Sequence, residues 1–255
     1  MADPGVLMDR DGPVATITLN RPHVLNAQTP RMWGELRAIG RDLPGDVRVV
    51  VVRGEGRAFS AGLDLAAVSA GPEDPTSLAR IATLPDQEAS ALVAGFQEAF
   101  NWLRRPDLVS IAAVQGHAIG AGFQLALACD LRVCTEDAQF TMAEVTLGLV
   151  PDLGGTKRLV ELVGYARAVD ICITGRRVAA TEAARLGLAT SVVPADGLDD
   201  AVAALTAQIL AVNRDAVVET KALLAAAAGR DFVEQEQAER EAQVRLIRGL
   251  VGAGE

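Results

Sequence analysis

The sequence has 255 residues, 50% of them apolar, 22% charged and only 4% aromatic, a balance that describes a folded chain and argues against a disordered one. Its formal charge is −9 with no run of Lys or Arg, so the basic stripe of a nucleic-acid binder is missing. Cys129, Cys134 and Cys172 form no CxxC pair and read as buried thiols of a reducing compartment. The acidic, Pro-containing start has neither the basic beginning nor the apolar stretch of a signal peptide, so a cytoplasmic protein is expected.

In chain order, residues 14–19 (VATITL) are apolar and β-branched between turn residues, and predict a strand. Thr29-Pro30 supplies an N-cap and a first helical residue; Met32, Leu36, Ile39 and Leu43 follow at helical spacing, and Pro44-Gly45 ends the helix. Residues 47–52 predict a buried strand running to Gly54. A loop of small residues follows at 57–65, then a Pro- and Gly-rich excursion at 66–87 that leaves room for a short helix. A helix is predicted over 88–104, a third strand over 109–114, a turn over 116–122 and a helix from Phe123.

Residues 108–129 contain no Asp, Glu, Lys or Arg, about the length of a membrane span. Gln115, Gly116, His117, Gly120, Gly122 and Gln124 interrupt them, so strand, turn and helix are expected instead, with no membrane contact. Short strands are predicted at 131–134, 139–142 and 188–193. Helices are predicted at 156–163, 165–173 and 181–186, the last capped by Thr181. From Asp196 to Gly249 the composition is helical, broken at Gly229. The pattern gives an α/β chain with a parallel sheet in residues 1–195 and a helical C-terminal region, 196–255.

Two small-residue turns each follow a buried strand, Ser60-Ala61-Gly62-Leu63-Asp64 and the turn at 116–122. They read as ordinary tight turns, or as two sets of backbone N–H groups aimed at one oxygen, the second at a helix N-terminus. Gly120-x-Gly122 is not a dinucleotide fingerprint, because the third glycine would fall on Leu125, and no P-loop is present. Glu144, flanked by apolar residues, reads as a turn cap or as a buried acid of raised pKa suited to proton transfer; Asp152 is a second acid nearby or a solvated loop residue. His23 and His117 have no partner at metal-ligand spacing and read as loop histidines, so no metal is expected.

These residues, in their order, resemble the enoyl-CoA hydratase/isomerase (crotonase) family. The matching pieces are Asn20-Arg21-Pro22, Leu25-Asn26-Ala27, residues 59–65, residues 112–122, Ala128-Cys129-Asp130-Leu131-Arg132, Ala138-Gln139-Phe140, Glu144, Gly148-Leu149-Val150-Pro151, Gly154-Gly155-Thr156, Thr174-Gly175-Arg176 and residues 183–188. The resemblance implies a crotonase-like spiral of ββα units and a helical C-terminal region that builds homotrimers, often paired as hexamers. It implies that the N–H groups of Leu63 and Ala121 hold the carbonyl of an acyl-CoA thioester as it gains enolate charge, each donor contributing about 3–4 kcal/mol.

Of two hydratase glutamates, Glu144 matches the second while the first falls on Gln124, an amide that cannot exchange protons. Glu144 with Asp152 therefore fits double-bond isomerisation slightly better than hydration. A non-catalytic acyl-CoA carrier is the alternative, and decarboxylation or thioester hydrolysis on the same scaffold stays open. Coenzyme A, as part of the substrate rather than a cofactor, is expected to touch His23, Val24, Leu25, Ala27, Ala61, Leu63, Asp64, Leu65 and Ala66. Hydratases can carry a Lys where this chain has Ala66.

Overall fold

β-branched runs with apolar residues on both faces form the centre of a sheet. The computed structural model describes residues 5–66, 70–71, 73 and 77–252. In it β2 (Val14–Leu19), β3 (Val49–Gly54) and β4 (Val109–Val114) lie side by side in parallel register. β6 (Leu131–Thr135) and β9 (Ser191–Val193) extend the ladder in parallel, and β1 (Val6–Asp11) closes the other edge antiparallel to β2, giving the order β1-β2-β3-β4-β6-β9. β1 escaped the sequence reading because only Val6 of its six residues is buried, so an edge strand showed no hydrophobic pattern. The strand predicted at 47–52 starts two residues later, since Val47 N–H closes a turn onto Pro44 O.

Val50 and Val52 face a core built with the helices α1 (Pro30–Asp42), α2 (Asp86–Asn101) and α3 (Ala121–Ala128). Val49 and Val51 face the opposite side, where Leu198 and Val202 of α7 (Leu198–Ala211) cover them. Cover on both faces explains the unbroken apolar run of β3. Thr29 caps α1 as expected, its Oγ1 accepting from Met32 N at 3.3 Å. Every residue of α3 is buried, and Arg132, 3% exposed, donates to the carbonyls of Ala126 and Cys129 at its C-terminal end. The charge-free segment at 108–129 thus resolves into β4, a short strand at His117–Ile119 and α3; among the described residues no single helix is long and apolar enough to cross a membrane.

A smaller sheet pairs β5 (His117–Ile119) with β7 (Gln139–Thr141) in parallel and β7 with β8 (Arg177–Ala179) antiparallel. Residues 116–122, expected as a plain turn, therefore hold a strand, and His117 stands in that strand rather than in a loop. The excursion after Ala66 includes the short 3-10 helix Leu78–Thr83; residues 67–69, 72 and 74–76 of it lie outside the described residues. Helices α4 (Gly155–Val163), α5 (Tyr165–Thr174) and α6 (Ala180–Leu186) follow. Thr181 does not cap α6: pairing of Ala179 with Gln139 carries the strand straight into the helix, and Ala179 takes the cap position without a side-chain bond. Burial raises Cys129 and Cys134 to about 12, whereas Cys172 is only half-buried.

The C-terminal helices α8 (Arg214–Ala227) and α9 (Phe232–Gly252) are separated near Gly229. Lys221 ties α8 to the sheet, donating to the carbonyls of Arg105 and Leu108 and to Asp130 Oδ2 at 2.6 Å, with side chains 12% and 18% exposed. Lys221→Met removes all three bonds and is expected to cost about 3 kcal/mol, the lower end for breaking a buried pair. Urea unfolding would read this as a lower midpoint with an unchanged slope.

Candidate active site

The two small-residue turns meet. Ser60 N donates to His117 O at 2.8 Å and Ile119 N to Ser60 O at 2.9 Å, a parallel bridge that joins the turn after β3 to β5. The contact is backbone against backbone. A Cβ on Gly62, whose φ is +87°, would stand 2.5 Å from Ile119 O and 3.6 Å from Ala121 N; one on Gly122 would stand 2.6 Å from Ser60 O. Only glycine permits that approach at either place.

On its other side the turn bridges Gln28, whose N–H donates to Gly62 O at 2.6 Å and whose carbonyl accepts from Asp64 N at 2.8 Å. The Gly62 carbonyl and the Leu63 N–H belong to one trans peptide and point opposite ways, so with Gly62 O held by Gln28 the Leu63 N–H faces away from Gln28. Ala121 opens α3, and its N–H is one of the donors a helix cannot satisfy internally. Neither amide has an acceptor among the described residues. Both line a cavity of about 630 Å³.

Glu144 lines the same cavity. It begins the 3-10 turn Glu144–Leu147 after β7 and is 8% exposed. Its Oε1 accepts from Gln124 Nε2 at 2.7 Å, while its Oε2 is buried with no partner. Burial lifts its pKa above the ordinary carboxylate range, the bond from Gln124 opposes the rise, and the Asp152 charge adds to it.

Gln124 sits one turn beyond Ala121 on α3 and is 1% exposed. Its Oε1 accepts from the backbone N–H groups of Leu153 (2.8 Å) and Gly155 (3.2 Å). Those groups only donate, so the amide oxygen must face them and the nitrogen must face Glu144. Gln124 is thus an anchor for the carboxylate. Asp152 lines the cavity from its open edge, where Gln97 Nε2 holds its backbone carbonyl at 2.7 Å. Burial raises its pKa as well, an effect weakened by the solvent the residue still meets.

Leu63, Ala121, Gln124, Glu144 and Asp152 therefore gather at one cavity, joined by Ala61 and Leu65. The other expected contact residues, His23, Val24, Leu25, Ala27, Asp64 and Ala66, do not line it and form the adjoining surface. Leu25 O accepts from Ala61 N at 2.8 Å, and Arg21 joins the two segments by bonds to Ala27 O (2.7 Å) and Asp64 Oδ2 (2.8 Å). The Asp64 charge is thereby paired within the chain, and its other oxygen accepts from Ala66 N at 3.0 Å. Leu78 and Ile81, from the excursion after Ala66, help form the cavity's apolar wall; sequence reasoning missed the rest of that wall, Trp33, Phe96, Leu149 and Leu153. Trp33 carried a signal: it stands off the Met32–Leu36 face of α1 yet is only 4% exposed.

Replacing Gln124 by Leu removes the side-chain donor that, together with a backbone hydrogen bond, holds the Glu144 pKa down. The Glu144 titration, followed by carbon NMR of a labelled carboxyl, is expected to move further above its ordinary value. An unmoved or lowered midpoint would remove Gln124 from the electrostatics of the site.

The chain matches the family model described as enoyl-CoA hydratase/isomerase over residues 9–249. It is 36% identical over 195 residues (76% of this chain, 70% of the relative) to a Mycobacterium bovis protein described as an enoyl-CoA hydratase. It is 40% identical over 207 residues (80% and 73%) to a carnitinyl-CoA dehydratase of Salmonella enteritidis. Among solved structures it resembles a Thermobifida fusca protein described as an enoyl-CoA hydratase. With CoA bound, that structure gives a TM-score of 0.92 at 51% identity, covering 98% and 95% of the two chains. With acetoacetyl-CoA the TM-score is 0.92 at 49%, covering 96% of each. With these matches beside the geometry of the two turns and Glu144, the chain is an enzyme of the enoyl-CoA hydratase/isomerase family and has the crotonase fold.

Proposed function

We propose that this enzyme moves the double bond of an enoyl-CoA thioester, with Glu144 carrying the proton between two carbons of the acyl chain. One observation carries the reading: a single buried carboxylate has one oxygen pinned by an amide and the other unpartnered among the described residues, in the cavity that Leu63 and Ala121 also line. Acyl-CoA as the substrate class is supported by the CoA and acetoacetyl-CoA held by the Thermobifida fusca structures.

In a 3-enoyl-CoA the carbon next to the thioester loses its proton to Glu144 Oε2. The electron pair left behind spreads onto the carbonyl oxygen, which the two backbone donors stabilise as its charge grows. The protonated Glu144 then returns the proton to the far end of the conjugated system, and the double bond comes to rest beside the carbonyl. A base whose pKa is lifted by burial suits both halves, since it must hold the proton and then release it. Asp152, at the cavity's edge, is the candidate to share that proton. Hydration needs a second proton-exchanging group beside the attacking water, and Gln124 offers an amide there. The reaction requires no group beyond the CoA thioester.

We further propose that the chain works as a homotrimer or a pair of trimers, with the exposed apolar side chains of α9, among them Phe232, Val233 and Leu250, buried between copies.

The test is a paired assay of 3-enoyl-CoA isomerisation and crotonyl-CoA hydration. Isomerisation is expected to exceed hydration, and Glu144→Gln to lower it by about 10²–10⁴-fold. Gln124→Glu is expected to raise hydration relative to isomerisation. Hydration dominant in the unaltered enzyme would overturn the isomerase reading, and thioester binding without either turnover would favour a carrier.

A further inference from the structure

Gln28 is fully buried, as are Ser60 and Asn26 beside it. Each polar atom of its side chain is committed. Trp33 Nε1 donates to Gln28 Oε1 at 2.8 Å, and Gln28 Nε2 donates to Ser60 Oγ at 3.1 Å. An indole nitrogen only donates, so the amide oxygen must face Trp33 and the nitrogen must face Ser60. The Ser60 hydroxyl is then saturated: it donates to Asn26 O at 2.8 Å and accepts from Gln28 and from Gly62 N at 3.2 Å. The chain of bonds runs one way, from indole to amide to hydroxyl to carbonyl.

Both arms of the amide corner attach to this chain. The Gln28 backbone holds Gly62 O and Asp64 N, the groups on either side of Leu63. Ser60 holds His117 O and Ile119 N through its backbone, one residue short of the Gly120-Ala121 step. The outer end of the relay is no remote core residue. Trp33 lines the cavity, with its ring against Phe96 (centroids 5.0 Å apart) and Phe100 (6.3 Å).

We infer that Gln28 is a positioning residue for the Leu63 and Ala121 donors, and that Trp33 is the point at which the acyl group in the cavity bears on them. The inference rests on the proposed role of those two amides. Gln28 touches no reacting atom. It aims the Leu63 N–H by fixing the peptide units on either side, and it fixes Ser60, from which β5 hangs. An acyl chain packed on the Trp33 ring holds the indole N–H against Gln28, so a thioester with a well-seated hydrocarbon tail meets a better aligned pair of donors than one without.

Acetoacetyl-CoA reports this directly, because its enolate absorbs light and, below the pH at which the free ligand ionises, forms only as far as the site stabilises it. The full chain is titrated with acetoacetyl-CoA across pH, and with free CoA, which has no thioester carbonyl. The unaltered enzyme is expected to bind the enolate at a pH where the free ligand is protonated. Gln28→Leu is expected to lower the bound enolate about tenfold at fixed pH, less than outright loss of a donor would, with CoA affinity kept within about twofold. Trp33→Phe, which keeps a ring and loses the N–H, is expected to lower it severalfold, and decides the matter if Gln28→Leu does not fold. Unchanged enolate in the folded variants overturns the inference and leaves the amide corner standing. Enolate and CoA binding lost in equal measure in both variants would mean general damage and would also overturn it. Failure of the unaltered enzyme to favour the enolate overturns the corner itself, and this inference with it.

Discussion

The whole site depends on the parallel bridge between Ser60 and Ala118. It joins two segments that leave different strands, β3 and β4, and brings their backbones so close that glycines must stand at 62 and 122. With the Gln28–Leu63 bridge on the other side of the same turn, which sets the direction of the Leu63 amide, it brings that turn against the start of α3 at Ala121. Donors fixed in this way need no reorganisation when charge develops, which is why backbone groups on a rigid bridge serve better than mobile side chains. Arg132, at the far end of α3, satisfies carbonyls there and keeps the short helix pointed at the corner.

Against this fixed corner the chain sets one buried carboxylate, with Asp152 at the cavity's edge. Gln124 and Glu144 form an asymmetric pair: the amide gives a hydrogen to one carboxylate oxygen and uses its own oxygen to hold the loop at Leu153 and Gly155. An unpartnered carboxylate oxygen in a buried wall is costly, and the folded chain bears that cost at the place where a proton could be exchanged. The raised pKa of Glu144 and its free Oε2 have the same cause, the withdrawal of water. Most of the wall around it is apolar, and among the described residues none partners that oxygen.

The helical C-terminal region has two relations to the core. α7 is part of the fold, because Leu198 and Val202 cover one face of the sheet. Arg48 holds the end of α7 through the carbonyls of Ile209, Leu210 and Val212, and beyond it α8 is tied by Lys221 to Asp130. α9 leaves large apolar side chains in solvent, Phe232 at 78% and Leu250 at 71% exposed.

Local pattern determined much of this protein. The β-branched runs at 14–19 and 109–114, the Thr29-Pro30 helix start and the helical composition after Pro194 each carry their structure in their own residues, and the ordered motifs identified the family. Elements without a local pattern were not legible: β1, an edge strand with one buried residue; β5 and β8, three residues each; and the start of α6, which β7 decides. The same division runs through the site. Glu144 and the two turns were marked by residue type and order, whereas the pinning of Glu144 by Gln124, the pairing of Asp64 with Arg21 and the bond from Gln28 to Ser60 needed the fold. Periodicity and propensity act over a few residues, but a carboxylate's free oxygen and an amide's aim are set by groups 20 or more positions away in the chain, and only tertiary structure brings those together.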